Sequence, residues 1–549
     1  MKQNTKTWFK SGAPWVWASA ATVSISLLMV AFLLVMLIVK GFGHFWPSEV
    51  IEFKINSVSE FAQRRQLEEV PAQRIRETGL EVPESVHFVG RRLVKTANRD
   101  MTGQDFKWVL ENDLKTIKTP KDALILERRE WGDFFGRIKS IKELGEMAQT
   151  DESLIEQFNH RLKRSNALFK QIRAIEKDDI GSINYAMEKL RLKRRKLELN
   201  NALDDTAISS LKEEEIVLDN KYQALQANLL ALNKEIERDS VQLLTANGEM
   251  LDLPFSKIVR GYWPNQMSVL DKLGFYFEKL WEFVSDEPRE ANTEGGIFPA
   301  IFGTVMMVLL MSIMVTPLGV MAAIYLREYA KQGPLTRLVR IAVNNLAGVP
   351  SIVYGIFGLG FFVYFLGGNL DQLFYPEALP APTFGTPGLM WASITLAILT
   401  MPVVIVSTEE GLSRIPKSIR EGSLALGATK AETLWKTVIP MASPSIMTGM
   451  ILAIARAAGE VAPLMLVGVV KLAPTLPLDG NFPFLHLERK FMHLGFHIYD
   501  VGFQSPNVEA ARPLVFATAL LLVVVIVVLN IAAIAIRNRL REKYKALEN

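Results

Sequence analysis

The sequence predicts an all-α, polytopic membrane protein that carries one large polar insert. Six stretches are long and apolar enough to cross a bilayer, which takes about 20 residues in a helix. Residues 41–290 are rich in charged and amide side chains, whereas residues 291–536 are mostly apolar. Lysine and arginine are concentrated in alternate loops between the apolar stretches. Together these observations indicate a helical membrane domain joined to a soluble one.

Composition and missing motifs exclude several classes of function. The 549 residues contain no cysteine, so a disulfide, a thiolate metal site and a cysteine nucleophile are all impossible. The formal net charge of +4 is too small to indicate a general nucleic-acid surface. The phosphate-binding loop G-x-x-x-x-G-K-[ST] and the hydrolase patterns H-E-x-x-H and G-x-S-x-G are missing. We therefore expect no enzyme site and no metal or cofactor site in this chain.

Each apolar stretch is predicted to form one transmembrane helix. The six predicted spans are roughly 18–39, 297–326, 341–366, 389–408, 445–470 and 513–536. The first follows three lysines, as a signal peptide would, but its apolar run is longer than about 15 residues and no small-residue cleavage site precedes Lys40. We therefore interpret residues 1–40 as a short N-terminal segment with an uncleaved anchor, and residues 297–536 as the membrane domain.

The distribution of positive charge orients the spans. The N-terminus, the loops after the second and fourth spans, and the tail 537–549 are all basic. With six spans these four segments fall on one side of the membrane, and the positive-inside rule assigns that side to the cytoplasm. The insert 41–296 and the loops 367–388 and 471–512 are then expected on the outer, periplasmic side.

Within the insert 41–296, the clearest pattern is a helical hairpin at about 148–245. Apolar residues in its second half recur every three or four positions, as in the seam of a coiled coil. The seam consists of Leu211, Leu218, Tyr222, Leu225, Leu229, Leu232 and Ile236. Polar residues interrupt the pattern upstream, so we expect antiparallel helices at about 148–200 and 207–245.

Two other parts of the insert are less decisive. Residues 191–196 form a basic run that suits a phosphate or an acidic partner, although a solvated helix face is the interpretation we favour. Residues 50–140 mix apolar and polar positions with prolines, and suggest a small α/β module without fixing its elements.

An arginine and a glutamate lie inside the predicted fifth span. Arg456 and Glu460 are four residues apart, so on a continuous helix they share one face and can pair. An ionisable side chain within a bilayer costs about 3 kcal/mol or more and by default indicates a functional site. Arg456 would offer a planar, two-pronged donor to a passing oxyanion, and Glu460 would hold it in place. The alternative is a structural salt bridge that joins two helices.

The predicted third span begins with an interrupted pattern. Asn345 and Ser351 flank the sequence Leu-Ala-Gly-Val-Pro, in which Pro350 can break the helix and free backbone groups to line a path. The small residues in the same segment suit close packing between helices equally well. We take Asn345 and Ser351 as candidate path residues, with both interpretations open.

The polar loop 409–444 contains a short helix of small residues that suits docking to another protein. Its sequence Glu-Gly-Ser-Leu-Ala-Leu-Gly occupies positions 421–427, and small side chains let a partner approach the backbone closely. Gly427 frees the chain to turn, and Pro440 is expected to stop the loop helix ahead of the fifth span. The candidate docking residues are Glu421, Gly422, Ala425, Gly427 and Pro440.

Three histidines fall near one helical face in the last outer loop. His486, His493 and His497 have Glu488 and Asp500 nearby, so a metal site is conceivable. Several phenylalanines surround them, which favours packing at the membrane interface, and we prefer that interpretation.

Four stretches of the membrane domain together carry a family resemblance. They are residues 296–304, 345–355, the loop 421–440 and residues 455–464. The loop resembles the EAA loop of ABC importers in general, whereas the second and fourth stretches are much more specific. Over about 295–540 the chain resembles the A-type permease of the phosphate-specific ABC importer. This resemblance implies a type I ABC-importer permease core and links Arg456 and Glu460 to phosphate passage.

The resemblance also implies a function and partners. The chain would be a permease subunit of an ATP-driven inorganic phosphate importer in the bacterial inner membrane. It would pair with a second permease subunit, an ATPase dimer and a periplasmic phosphate-binding protein, amid membrane lipid and without nucleic acid. ATP and Mg²⁺ would be bound by the ATPase. Two rival functions are a permease for another oxyanion such as sulfate, and a non-transporting membrane scaffold or signal transducer.

The chain departs from the family pattern in three ways. The loop reads Glu-Gly-Ser where the family has Glu-Ala-Ala, and Gly422 should weaken the docking helix by under about 1 kcal/mol. Thr437 replaces the apolar residue expected before Pro440. The insert 41–296 has no counterpart in the compact members of the family, so the resemblance implies nothing about it.

Overall fold

The computed structural model describes residues 11–55, 58–71, 87–111, 114–147, 153–289, 292–505 and 508–544. Within these residues, six helices are long and apolar enough to span a membrane. They are Ala13–Gly43, Phe298–Tyr329, Ser351–Phe374, Leu389–Arg414, Lys430–Gly459 and Ala511–Arg539. The predicted number of spans and the helical class of the membrane domain are confirmed.

After the first span, α1 (Ala13–Gly43), the insert opens with a five-stranded antiparallel sheet in the order β4-β3-β2-β1-β5. Its elements are β1 (Ile51–Ile55), β2 (Val58–Pro71), β3 (Phe88–Lys95), the short helix α2 (Arg99–Thr102), β4 (Phe106–Leu110) and β5 (Lys115–Lys118). Alternate residues such as Ile51 and Phe53 are buried, as in a strand with one face on a core. The Asn265 amide joins the ends of this sheet, since it donates to the Val50 and Pro120 carbonyls at 2.8 and 2.7 Å.

A second antiparallel sheet has the order β10-β9-β7-β6-β11, with β8 paired to β7. Its strands are β6 (Leu124–Arg128), β7 (Asp133–Glu143), β8 (Glu146–Met147), β9 (Asp239–Leu244), β10 (Met250–Pro254) and β11 (Ile258–Tyr262), with a 3₁₀ turn at Phe255–Lys257. Its core contains Leu126, Phe134 and Leu243. The region whose elements the sequence left open is therefore largely β-structure, and the rest of the insert is built on it.

A helical hairpin projects from this second sheet. It comprises α3 (Leu154–Ala174), a π-helical turn (Ile175–Asp179), α4 (Ile180–Leu199) and α5 (Asp205–Ile236). A reciprocal cap between Ser153 and Glu156 starts α3. Leu168, Ile172 and Ile236 pack together and join α3 to α5. The predicted seam positions of α5 are all buried or half-buried.

The second helix of the hairpin ends at Ile236, not at 245 as the sequence had suggested. Residues Asp239–Leu244 form β9, which alternates buried and half-buried positions and pairs with both β7 and β10. A short apolar run fits a helical and a strand period equally well, so the predicted helix extended beyond the point where the helix ends.

The chain returns to the membrane through α6 (Val269–Ser285) and a small ribbon of β12 (Pro288–Arg289) and β13 (Glu294–Gly295). A Ser268–Asp271 capping box starts α6. One face of α6 buries Phe283 against the membrane half, while Trp281 is 72% exposed.

The membrane half contains the remaining helices. They are α7 (Phe298–Ile324), α8 (Pro334–Leu346), α9 (Ser351–Phe357), α10 (Gly368–Phe374), α11 (Leu389–Arg414), α12 (Lys417–Ala425), α13 (Lys430–Thr433), α14 (Ile439–Gly459), α15 (Leu464–Val467), α16 (Leu494–Tyr499) and α17 (Val508–Tyr544). π-Helical turns lie at Tyr325–Tyr329, Gly358–Gly367, Leu434–Val438 and Asp500–Gln504, and a 3₁₀ turn at Pro376–Ala378. α7, α11 and α14 form the core, where Gly319 and Gly449 let neighbouring helices approach closely.

Two spans differ from the prediction in their bounds. The third begins at Ser351 rather than 341, because α8 is a separate helix and the chain leaves helical geometry at Pro350 (ψ 133°). The fifth covers Lys430–Gly459 rather than 445–470, because Glu460 is extended (ψ 134°). Average hydropathy does not locate a break inside an apolar run, since membrane helices tolerate proline and glycine.

Candidate functional site

Two interrupted helices meet beside the end of α14. Gly355 of α9 lies against Pro463, and a Cβ atom added to Gly355 would lie 2.7 Å from the Pro463 Cα atom. The Tyr354 hydroxyl donates to the Leu346 carbonyl at 2.7 Å and so bridges the break between α8 and α9. The segments 345–355 and 455–464, singled out in the sequence, are therefore in contact at a position where only glycine fits.

Arg456 and Glu460 lie at this junction. Arg456 is in the last turn of α14, and Glu460 is the first residue after the helix. The Arg456 Nε and Glu460 Oε1 atoms are 3.6 Å apart, which is an ion pair but too long for a good hydrogen bond. The two side chains are 32% and 19% exposed. Among the described residues, no hydrogen bond occupies the Arg456 guanidinium, so its donors are available to a ligand.

This arrangement differs from the predicted one. The sequence placed both residues near the middle of one continuous helix, whereas α14 ends between them at Gly459. Arg456 consequently sits at the carbonyl end of the helix, where the helix dipole favours a cation. The two residues pair because the extended chain after the helix keeps Glu460 within reach.

The other two candidate path residues lie at the break before α9. Asn345 is near the end of α8 and is exposed, while Ser351 is the first residue of α9 and is half-buried. In the described part of the chain, neither side chain is hydrogen-bonded to Arg456. Tyr354 is the residue that sequence reasoning did not single out, although it lies in the same motif and holds the break together.

The candidate docking helix is a surface element. Glu421, Gly422 and Ala425 of α12 are exposed, and nothing lies within 4 Å of a Cβ atom placed on Gly422. Leu426, the residue after the helix, is 90% exposed. Gly427 has a φ of +89°, a left-handed conformation that favours glycine and turns the chain away from the helix. α12 therefore presents small residues and one uncovered leucine to the surroundings.

Pro440 does not stop the loop helix, contrary to the prediction. It is the second residue of α14, and the chain is helical without interruption from Lys430 to Gly459. The π-helical turn Leu434–Val438 immediately precedes it and changes the hydrogen-bond register, so that the missing proline N–H is tolerated. The loop helix ends instead at Ala425, two residues before the turn at Gly427.

A charged clamp attaches α12 to the end of the second span. The Arg420 guanidinium donates to Glu328 Oε1 at 2.8 Å and also to the Leu412 and Ile415 carbonyls at 2.8 and 2.7 Å. Lys430 donates to the Glu328 carbonyl. The paired side chains of Arg420 and Glu328 are only 19% and 13% exposed. Sequence reasoning counted Arg420 only as a loop charge and missed Glu328 entirely.

The three histidines occupy separate environments. The His486 ring lies between Asp479 Oδ1 and Glu488 Oε1, at 3.0 and 3.2 Å. Burial lowers the pKa of His493 to about 3 and that of His497 to about 4, so both rings are neutral at pH 7. Among the described residues, no group of three or more histidine, aspartate or glutamate side chains is arranged so that it could hold a metal ion.

The insert contacts the loops of the membrane half. The Tyr185 hydroxyl and the Lys189 ammonium of α4 both donate to the Phe482 carbonyl, at 2.7 and 2.9 Å. Lys196 lies 3.5 Å from Glu377. The rest of the basic run pairs with carboxylates of the hairpin itself, through Arg191–Glu188, Lys193–Glu214, Arg194–Glu198 and Arg195–Glu198. α4 thus forms ion pairs within the hairpin and also contacts the loops of the membrane half.

Several known transport proteins are similar to this chain. Residues 315–542 match the family described as "Binding-protein-dependent transport system inner membrane component". The phosphate transport system permease protein PstA of Mycobacterium leprae is 36% identical over 225 residues, which is 40% of this chain and 68% of that protein. PstA 1 of Mycobacterium tuberculosis H37Rv is 35% identical over 247 residues, which is 44% of this chain and 70% of that protein. An inward-facing structure of the MetNI methionine ABC transporter is similar at 17% identity and a TM-score of 0.32, over 44% of this chain and 94% of that chain.

Proposed function

This chain belongs to the phosphate-specific family of ABC-importer permeases, and we propose that it forms the path for inorganic phosphate together with a second, related permease subunit. It is a multi-pass inner-membrane transport subunit and not an ATPase. Its partners include an ATPase and a substrate-binding protein. ATP and Mg²⁺ are bound by that ATPase, so this chain needs no cofactor of its own.

The loose Arg456–Glu460 pair is the observation that carries the path proposal. At 3.6 Å the two groups attract each other without a tight hydrogen bond, and the guanidinium is about one-third exposed. A passing phosphate gains two parallel charge-assisted hydrogen bonds from the guanidinium fork. Glu460 keeps the empty station close to neutral, so the anion is not trapped there. Asn345 and Ser351, at the adjacent helix break, line the same path.

Docking of the ATPase takes place on α12. The exposed residues Glu421, Gly422 and Ala425 form the contact, and Gly427 sets the direction in which the helix points. The half-buried Arg420–Glu328 clamp supports a mechanical link, because movement of α12 is passed to the second span. Pro440 lies on the continuous helix that carries the same movement into the fifth span.

The four basic segments support a cytoplasmic position for α12 and a periplasmic one for the insert 41–296. The contacts of α4 with Phe482 and Glu377 agree with this assignment, because they require the insert and both of those loops to share one side. The domain order is then an anchor (1–40), a periplasmic insert, a permease domain (297–536) with its coupling loop (409–444), and a cytoplasmic tail.

The test is uptake of radiolabelled phosphate in a strain that lacks its own phosphate permease, complemented with this chain and its partner genes. We expect saturable uptake that an excess of sulfate does not reduce. Inhibition by sulfate would assign the cargo to another oxyanion. An assembled complex without uptake would support a scaffold or signalling role instead; the phosphate permeases among its relatives do not favour either rival.

A further inference from the structure

A large polar cavity lies where the insert meets the membrane half. Its volume is about 1560 Å³. The first sheet, α6, the end of α1 and the start of α17 contribute to its wall. No residue of the fifth span lines it, so it is separate from the path proposed around Arg456.

The wall of this cavity carries more basic than acidic side chains. The basic residues are Lys40, Arg65, Lys95, Arg99, Lys279, Arg289, Lys471 and Arg512, and the acidic ones are Asp105, Glu127, Asp133, Glu282, Glu294 and Asp500. Most of the carboxylates are already paired with cations. The closest pairs are Lys95–Asp133, Lys279–Glu127 at 2.5 Å, Arg289–Glu282 at 2.8 Å and Lys471–Asp500 at 3.1 Å. The acidic groups therefore do not neutralise the remaining cations.

Arg65 of β2 is one of the cavity cations that, among the described residues, form no ion pair with a carboxylate. Its guanidinium donates to Gln63 Oε1 at 3.0 Å, and within the described ranges no carboxylate oxygen lies within 4 Å of it. Arg65 is half-buried, and burial lowers its pKa while the fields of Tyr262 and Asp133 oppose that shift. A partly buried charge without a directly paired carboxylate is costly, and an anionic ligand would lower that cost.

Two titratable groups of the cavity wall add no opposing charge at neutral pH. Burial, together with the nearby Asp133, raises the pKa of Glu294 to about 8, so this carboxyl is mostly protonated at pH 7. Burial and the positive field of Arg65 lower the pKa of His44 to about 3, so its imidazole is neutral. The cavity consequently has a net positive charge around Arg65.

We propose that this cavity binds a phosphate-type oxyanion, with Arg65 as its principal donor and Lys40 and Arg512 at its membrane side. A guanidinium matches the oxygens of a phosphate with two parallel hydrogen bonds. Two sources offer this chemistry, namely free inorganic phosphate and the headgroup of an anionic phospholipid. The second is relevant because Lys40 and Arg512 belong to membrane spans.

The experiment has one arm for each source. It uses the full chain, purified with its partner subunits and carrying Arg456→Gln, so that the path arginine does not contribute. The first arm measures binding of radiolabelled inorganic phosphate by equilibrium dialysis in a neutral detergent. The second measures, by native mass spectrometry, phosphatidylglycerol retained after transfer from phosphatidylglycerol to phosphatidylcholine nanodiscs.

Arg65→Gln is expected to weaken binding about tenfold or more in one arm, because a charge-assisted hydrogen bond is lost. The arm that responds identifies the source of the anion. Arg512→Gln should weaken binding in the same arm, and it tests the site without altering the insert, since the Arg512 side chain is exposed on α17.

Arg64→Gln is the matched control. Arg64 is the preceding residue on β2, is exposed and does not line the cavity, so its loss should leave binding unchanged. The proposal is overturned if neither ligand binds before Arg65 is changed, or if Arg64→Gln weakens binding as much as Arg65→Gln. Unchanged binding in both Arg65→Gln and Arg512→Gln would overturn it equally.

Discussion

The membrane half and the insert use charged residues in different ways. In the insert, ion pairs are dense: Glu282 alone contacts Lys279, Arg260 and Arg289 within 3.0 Å. The core of the membrane half is apolar, and its charges are few and separate. An ion pair in the insert is therefore mostly one support among several, whereas the Arg456–Glu460 pair, within the described residues, shares neither of its charges with another ion pair. The same interaction predicts a structural role in one region and a functional role in the other.

The largest effect is expected at Arg456. Arg456→Gln should abolish phosphate uptake because it removes the cation and the two-pronged donor, while the complex still assembles. Arg456→Lys keeps the charge but loses the fork, so it should retain partial uptake. Uptake and copurification of the ATPase are measured together. Normal uptake by Arg456→Gln would show that the Arg456–Glu460 pair is only a structural salt bridge. Its role would then be the same as that of the ion pairs in the insert.

A smaller but clear effect is expected at the clamp of α12. Glu328→Gln leaves Arg420 without its half-buried partner, so it should weaken the attachment of α12 to the second span. We expect uptake to fall about tenfold while ATP hydrolysis continues, because α12 is still present but is attached less firmly to the second span.

The control for the clamp is Arg414→Gln, since that side chain is 76% exposed and lies 4.0 Å from Glu410. It should leave uptake and its ratio to ATP hydrolysis unchanged. Equal losses in both variants would show that any loop charge matters, not the clamp.

Shortening the hairpin should have a modest effect. Replacing residues 177–224 by a short Gly-Ser linker removes α4 and its contacts with Phe482, but keeps the cluster that joins α3 to α5. We expect uptake within about threefold of the full chain, because little of the apolar core is affected. Deleting 148–250 removes β9 from between β7 and β10 and should prevent accumulation of the protein. Complete loss of uptake by an inserted, assembled 177–224 variant would make the hairpin part of the transport cycle.

The smallest effect is a pH dependence of stability at Glu294. Its pKa is raised from 4.5 to about 8 in the folded chain, so the folded state holds a proton that the unfolded chain has already released. Stability therefore falls as the pH rises from about 4.5 to about 8. Glu294→Gln should raise the unfolding temperature by about 2–4 °C at pH 8 and hardly at pH 5.

Tryptophan fluorescence during heating measures this shift. Glu215→Gln, a change on the exposed face of α5, should leave the unfolding temperature unchanged at both pH 5 and pH 8. A stabilisation by Glu294→Gln that is equal at both pH values would contradict the assigned titration.

Much of the membrane half was predictable from local patterns. A span has to satisfy its backbone hydrogen bonds within its own helix, so each of the six apolar runs can be recognised as a membrane helix independently of the others. The end of α12 was predictable for a similar reason, since Gly427 turns the chain by its own conformational freedom. The breaks after Leu346 and Gly459 were misplaced, because they depend on contacts such as Gly355 against Pro463.

The insert shows the opposite relation between sequence and structure. Its sheets depend on pairings between distant segments, and Asn265 joins Val50 across 215 positions of sequence. Alternating patterns in strands with mixed surfaces do not reveal such partners. The antiparallel hairpin was predictable in outline, but the strand that ends it at Asp239–Leu244 became evident only from its pairing with β7 and β10.

By itself, the sequence determined the family, the number of spans, the lack of any cysteine chemistry and the presence of an arginine–glutamate pair inside one predicted span. The tertiary structure alone decided that Glu328 anchors α12, 92 positions from Arg420, and that, within the described residues, no carboxylate oxygen lies within 4 Å of the Arg65 guanidinium. The physical reason is the distance along the sequence over which each kind of interaction acts. Apolar runs and glycine turns act on neighbouring residues, whereas the pairing and desolvation of a charge depend on whatever the fold brings around it.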